Sequence, residues 1–298
     1  MHAVSGNAIT IRFALPSAEL SPYVTTYYCT EVTTSAAEPV LEDYLHPEWG
    51  NLRFLGTGKG EYAIGGGPVA EIPALSATGP TSFATRFRLS SGRNWGIGLL
   101  PLGWACLIDA PASDHADRVV DGLVHPAFAA FAPLAEALAR TGGGFAEELA
   151  IIEAHMAAMM PAECPQADAI TRINAALVNP EIASVGVLAE RVGMNVRSLE
   201  RLTKRAFGFT PKLLLRRQRF LRSLAQFMLD PSLKWLSTLD YQYHDQAHFV
   251  RDFKRFMGMS PSAYAKLDKP FLVAAARARM AIAGEAMQAL HDPSATDG

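Results

Sequence analysis

The sequence predicts an α+β chain: a mainly β N-terminal domain over residues 1–125, and a C-terminal all-α module with two helix-turn-helix units over residues 166–268. Three observations predict it. Short apolar runs between Gly, Pro, Thr and Ser fill the first 125 residues. Helical periodicity takes over from Gln166. The helical part also contains an internal repeat at an offset of 50 residues. A length of 298 residues suits two domains, and 49% hydrophobic with 19% charged residues suits ordinary globular cores.

In the first domain the candidate strands are Tyr23–Tyr28, Asn51–Leu55, Glu61–Ile64, Phe83–Leu89 and Gly96–Leu100. Strands this short and this frequent point to a barrel or a sandwich. Ala, Leu and Glu dominate from Pro126 to Met160, which predicts two helices broken at Gly142–Gly144. Residues 126–165 read as a helical linker or dimerisation segment, ending in a linker at Pro161–Pro165. Packing of these helices on the barrel is the competing reading. Beyond it, helices are expected at 166–178, 184–192, 195–207, 211–228, 232–241, 245–257 and 261–267. Pro180, Gly193, Gly208–Pro211, Asp230–Pro231 and Gly258–Pro261 punctuate them. Residues 269–298 form an extension with an Ala-rich helix over 270–290, either a cover for the second unit or a dimer contact.

The chain starts with no basic run leading into an apolar stretch, so no secretory signal is expected. The most apolar window, Gly96–Ile108, is broken by Gly98, Pro101 and Gly103 and is too short for a membrane span. Cys29, Cys106 and Cys164 are odd in number and far apart, which argues against a disulfide framework and against zinc, and for a reducing cytoplasm. Charge is distributed unevenly. Residues 170–269 hold 17 Lys+Arg against 8 Asp+Glu, while residues 1–169 hold 8 against 18. A basic module joined to an acidic one suits a polyanionic partner for the former only, a dipolar surface without a partner being the alternative.

In the repeat, R-A-F-G-F-T-P at 205–211 aligns with R-F-M-G-M-S-P at 255–261, and Arg201 and Lys204 align with Arg251 and Lys254. Each copy predicts an amphipathic helix. Leu199, Leu202 and Ala206 make one core stripe, and Phe249, Phe253 and Phe256 the other. Arg197, Arg201 and Lys204 share a second face, as do Ala247, Arg251 and Lys254, with Gln246 at the helix start. A shorter helix and a tight turn precede each, which makes two helix-turn-helix units. A helix fits the major groove, where Arg suits guanine and Gln suits adenine. Between the units, Lys212–Met228 reads as a helix of about 25 Å, able to hold the reading helices about one duplex turn, 34 Å, apart. Arg216, Arg217, Arg219 and Arg222 on it are candidates for phosphate contact, or a solvated face.

The string H-D-Q-A-H-F-V-R-D-F-K-R-F-M-G-M-S-P-S-A-Y at 244–264 resembles the signature of AraC/XylS-type transcription regulators, and L-A-E-R-V-G-M-N-V-R-S-L-E-R at 188–201 with F-G-F-T-P-K at 207–212 resembles their first unit. The resemblance covers about 100 residues and implies seven helices, the third and sixth entering adjacent major grooves. By position it implies that Arg197, Glu200 and Arg201 read bases in the first unit, and Gln246, Ala247, His248, Val250 and Arg251 in the second. Glu200 would accept from a cytosine N4 or hold Arg197 or Arg201 in place, the second being favoured. Where the family has an Ile-Ala pair and a turn Gly in its second unit, this chain has Ser237, Thr238 and Gln242. The resemblance also implies an N-terminal domain that binds a small effector or mediates dimerisation, often a cupin-like barrel.

His46, His115 and His125 lack the paired spacing of a metal cupin, so no metal or cofactor is expected, and His115 reads as a loop-surface residue. Trp49, Arg53, Trp95 and Trp104 are candidates to line a ligand pocket, against the alternative of barrel core and rim. Three function classes compete. A transcription regulator leads. A DNA-repair methyl acceptor needs a Pro-Cys-His-Arg setting or four zinc-binding cysteines, and Cys164 is followed by Pro-Gln. An enzyme in the barrel lacks ligands for a metal, so no enzymatic activity is expected. Double-stranded DNA is the expected partner, with a small effector, a second copy of the chain and RNA polymerase as further candidates and no membrane.

Overall fold

The structure is a computed structural model describing residues 7–229, 243 and 246–291. Among the described residues ten strands form the N-terminal domain: β1 (Ala8–Ala14), β2 (Val24–Thr33), β3 (Leu41–Leu45), β4 (Asn51–Thr57), β5 (Gly60–Ile64), β6 (Ala70–Glu71), β7 (Leu75–Thr78), β8 (Thr85–Leu89), β9 (Gly92–Leu99) and β10 (Val119–Asp121). The larger sheet has the order β1-β2-β9-β4-β7-β10 and the smaller one β3-β8-β5-β6, with antiparallel pairing. The five expected strands are present. β1, β3, β6, β7 and β10 are additional, and the apolar window ends in a helix, α1 (Pro101–Leu107).

Period-two alternation gives the larger sheet two different faces. Tyr27 and Cys29, Leu52 and Phe54, Leu75 and Ala77, and Trp95, Ile97 and Leu99 form one apolar core. Against this face pack α2 (Ala132–Arg140) and α3 (Phe145–Ala158), contributing Leu134, Ile152 and Met156. Alternate residues on the same strands, Thr26, Tyr28, Thr30, Arg53, Ser76 and Thr78, face the smaller sheet across a cavity. The apolar face of α3 is therefore packed on the barrel. Its buried Glu148 accepts from Arg93 Nη1 at 2.7 Å, Trp95 Nε1 at 2.7 Å and Thr141 Oγ1 at 2.7 Å. Burial opposes the carboxylate charge, but these donors prevail and hold its pKa below the ordinary range.

The helical module comprises α4 (Ala167–Val178), α5 (Val185–Arg191), α6 (Val196–Phe207), α7 (Pro211–Leu229), α8 (Gln246–Met257) and α9 (Pro261–Lys266). Local chemistry sets these bounds. Asn195 caps α6 by accepting from Ser198 N at 2.9 Å, and Ser260 caps α9 by accepting from Ala263 N at 3.1 Å. Gly208 and Gly258 end the two repeated helices at φ 82° and 71°, a left-handed conformation that explains the repeated glycine. The helix expected at 232–241, with Ser237, Thr238 and the turn residue Gln242, lies outside the described residues. After α9 the extension forms α10 (Pro270–Ala283), which ends at Gly284, short of the expected 290, and then a 3-10 turn at Gln288–Leu290. It crosses the barrel, where Phe271 meets Phe87 and Arg279 enters between the sheets.

Two expectations about isolated residues are corrected. Cys106 and Cys164 form a disulfide with a Cα–Cα separation of 5.5 Å, because α1 packs beside the start of α4 and closes 58 residues of chain. Cysteine usage thus no longer argues for a reducing compartment. His115 is buried among Trp104, His125 and Phe128, with ring centroids 4.9–5.7 Å away, and not on a loop surface. Burial lowers its pKa.

Because Ile152 is fully buried under the larger sheet, Ile152→Ala is expected to cost about 2–5 kcal/mol of stability in urea unfolding. A loss below about 1 kcal/mol would mean that α3 is not part of this core.

Candidate nucleic-acid interface and barrel cavity

The two repeated helices present their faces as the periodicity requires. In α6, Leu199, Leu202 and Ala206 are buried, and Arg197, Glu200, Arg201 and Lys204 are exposed. In α8, Phe249, Phe253 and Phe256 are buried, Gln246, Ala247, Arg251 and Lys254 are exposed, and His248 and Val250 are half-buried. His248 Nε2 lies 3.2 Å from Arg219 Nη2, and its ring packs edge-on against Tyr243. Glu200 forms no ion pair with Arg197 or Arg201.

The arginines of α7 are a correction. Arg217 is fully buried, and its guanidinium lies 3.8 Å from the centroid of the Trp49 ring. Its Nη1 donates to the carbonyls of Thr81 at 2.8 Å and Glu48 at 3.3 Å, so it faces the barrel and no phosphate. Burial lowers its pKa to about 9, which still leaves it charged at neutral pH. Arg216 and Arg219 reach Asp252 of α8 at 2.5 and 3.2 Å, and Tyr243 donates to the same carboxylate at 2.9 Å. They brace α7 against α8. Arg222 is half-buried.

Barrel and helices share one apolar core. Trp49, Ala84, Leu100 and Leu102 pack with Phe207, Phe209, Phe220 and Tyr264. Trp49 meets Phe207 edge-on at 5.7 Å. Ala84 N donates to Phe256 O at 2.6 Å, at the end of α8. His46 Nε2 and the Tyr264 hydroxyl share a hydrogen bond of 2.8 Å. The barrel thus docks on the buried sides and C-terminal ends of α6 and α8, leaving their basic faces open.

Between the two sheets lies a cavity of about 180 Å³. Of the four residues proposed from sequence, only Arg53 lines it. Trp49 is part of the domain junction, Trp95 donates to Glu148, and Trp104 donates to Ala110 O at 2.9 Å inside the barrel core. The tryptophans follow the core alternative because large rings fill the apolar face of the sheet. Arg53 Nη2 pairs with Glu48 Oε1 at 2.5 Å. Burial opposes the Arg53 charge, but Glu48 and Tyr28 more than offset it and raise its pKa. Tyr28, whose pKa burial pushes up to about 12, donates to Asn51 Oδ1 at 3.1 Å. Arg279 and Gln288 of the extension complete the wall. Sequence reasoning missed them, as it missed Thr26, Asn51, Ser76 and Thr78. A signal existed for the strand residues, since each alternates with a core residue on a strand whose two faces are both covered.

A family model described as a helix-turn-helix domain matches residues 188–267. Among solved structures, ToxT from Vibrio cholerae is 12% identical with a TM-score of 0.41, over 88% of this chain and 98% of that one. A ToxT structure described as bound to unsaturated fatty acid is 11% identical with a TM-score of 0.40, over 89% and 96%. The AraC-like transcriptional activator CuxR is 13% identical with a TM-score of 0.27, over 73% and 87%. No curated protein matches the chain. The C-terminal module contains a helix-turn-helix domain. Among the described residues no helix is long and apolar enough to cross a membrane.

Burial pushes the His46 imidazole down to about 3, and the Lys269 charge acts the same way. The folded chain holds His46 neutral, whereas the unfolded chain protonates it near pH 6.5. The stabilisation is therefore complete above pH 6.5 and is lost as pH falls toward 3. Lowering the pH from 7 to 5 is expected to cost about 2 kcal/mol at this residue. His46→Gln is expected to lose that part of the pH dependence in urea unfolding, and a variant with wild-type pH dependence contradicts the assignment.

Proposed function

We propose that this chain is a DNA-binding transcription regulator of the AraC type that reads two adjacent major grooves of one duplex as a single polypeptide, under the control of a small effector held in the barrel cavity. In this reading Arg197, Glu200, Arg201 and Lys204 of α6 serve one groove, and Gln246, Ala247, His248, Val250, Arg251 and Lys254 of α8 serve the next. The observation that carries it is the equivalence of the exposed cations. Arg201 and Lys204 recur fifty positions on as Arg251 and Lys254, all four at the surface, while the apolar stripes of both helices are buried. Arg201 and Arg251 suit guanine O6 and N7, Gln246 suits adenine, and the exposed Glu200 is left to accept from a cytosine N4. Lys204 and Lys254 suit phosphates.

Control from the barrel is supported by shared structure. The loop that contributes Glu48 to the cavity also contributes its carbonyl to Arg217 on α7, the helix between the two units. An occupant that moves Glu48 thus acts on the element that spaces the reading helices.

Arg201→Ala and Arg251→Ala are each expected to weaken binding to a selected DNA fragment by about 1–3 kcal/mol, with unfolding curves unchanged. Affinity is expected to fall steeply with salt, because Lys and Arg displace counterions from several phosphates. Wild-type affinity in both variants, or a flat salt response, defeats the proposal.

A further inference from the structure

The polar end of the barrel cavity carries unbalanced charge. Arg53 has its counter-ion in Glu48. Arg279, which α10 delivers into the same cavity, has no carboxylate within ion-pair distance among the described residues, and Glu48 and Glu285 act on it only from further away. It is only 6% exposed. Its Nη1 donates to Thr26 Oγ1 at 2.6 Å, while Nε and Nη2 are buried without a hydrogen-bond partner among the described residues. Burial lowers its pKa to about 10, so it is cationic at neutral pH. A buried cation with two idle donors costs stability unless an acceptor meets them. The wall around it is otherwise largely apolar, with Ile11, Phe13, Leu55, Tyr62, Phe87 and Phe271.

We propose that the cavity takes a small organic anion with an apolar body, and that Arg279 of the C-terminal extension receives its anionic head. The proposal rests on the effector reading above and names the ligand class. A cationic ligand meets two guanidiniums and one carboxylate, a net repulsion. A neutral apolar ligand leaves the Arg279 donors unpaired. An anion satisfies both the charge and the donors, and its apolar body matches the remaining wall.

The same segment closes the cavity and touches the DNA-binding module. Gln288 Oε1 accepts from Trp49 N at 3.1 Å and Asn51 Nδ2 at 3.0 Å. This approach is possible because residue 98 is glycine: a Cβ there would lie 2.6 Å from Gln288 Nε2. One residue on, Ala289 O accepts from Gln218 Nε2 of α7 at 2.6 Å. The extension is therefore one wall of the ligand site, and it is hydrogen-bonded to the helix that spaces the reading units.

The test uses the full chain and two probes with the same apolar body, octanoate and octanol, with binding measured calorimetrically in the absence of DNA. Octanoate is expected to bind about tenfold or more tighter than octanol, the worth of a charge-assisted contact. Arg279→Gln is expected to abolish that preference, and Arg279→Lys to retain most of it. Equal binding of the two probes to the wild-type chain overturns the proposal without any variant, as does a preference that survives Arg279→Gln. A second arm adds octanoate to the DNA-bound chain. Octanoate bound through Arg279 with DNA affinity unchanged leaves the ligand class standing and removes effector control instead.

Discussion

Arg217 carries its charge into a buried place, between the Trp49 ring and the carbonyls of Glu48 and Thr81, where the carboxylates of Asp117 and Glu48 act on it only from beyond ion-pair distance. Desolvating a guanidinium is expensive. The aromatic face at 3.8 Å and the two carbonyls offset that cost. Its Nε and Nη2 remain without partners among the described residues, so the contact is not optimised for stability alone. What it fixes is position. The loops at 45–50 and 79–84 are joined to each other through Thr81 N to Glu48 O at 2.9 Å and Glu48 N to Thr81 Oγ1 at 2.9 Å. Arg217 ties this joined pair to α7, and Phe207 and Phe256 close around it at the ends of the two repeated helices.

From that constraint the rest of the arrangement follows. With the barrel held on the buried sides of α6 and α8, their cationic faces are left to solvent. With Asp252 binding Arg216 and Arg219, α8 is braced on α7. Glu48 then stands at a junction. Its side chain faces the cavity and pairs with Arg53, while its carbonyl accepts from Arg217. The extension makes a parallel connection, with Arg279 and Gln288 in the cavity and Ala289 on α7. Cavity and α7 are thus linked through contiguous hydrogen bonds, not through a flexible tether.

The repeated helices were legible in the sequence because core stripe, cap and terminal glycine all recur at one offset, so each level of the pattern supports the others. The arginines of α7 were not, because a charged side chain ordinarily marks a solvated face. Yet a clue was present. Arg217 and Gln218 fall on the stripe Leu214, Leu221 and Leu224, three and four residues after Leu214, and a polar pair on an apolar stripe signals a buried polar contact. Glu148 sits likewise four residues before Ile152 and eight before Met156 on α3. The Cys106–Cys164 pairing depends on tertiary packing across 58 residues, which spacing alone does not encode. The place of the extension was equally hidden, since nothing in an Ala-rich helix says which surface it crosses.

The central claim is that one chain, held rigid around α7, sets two reading helices along one face of a duplex. Hydroxyl-radical footprinting of the full chain on a selected DNA fragment tests it most directly. The account predicts two protected windows on the same face, with centres about 10–10.5 base pairs apart, from a single bound chain. A single protected window, or two windows on opposite faces of the duplex, would contradict it.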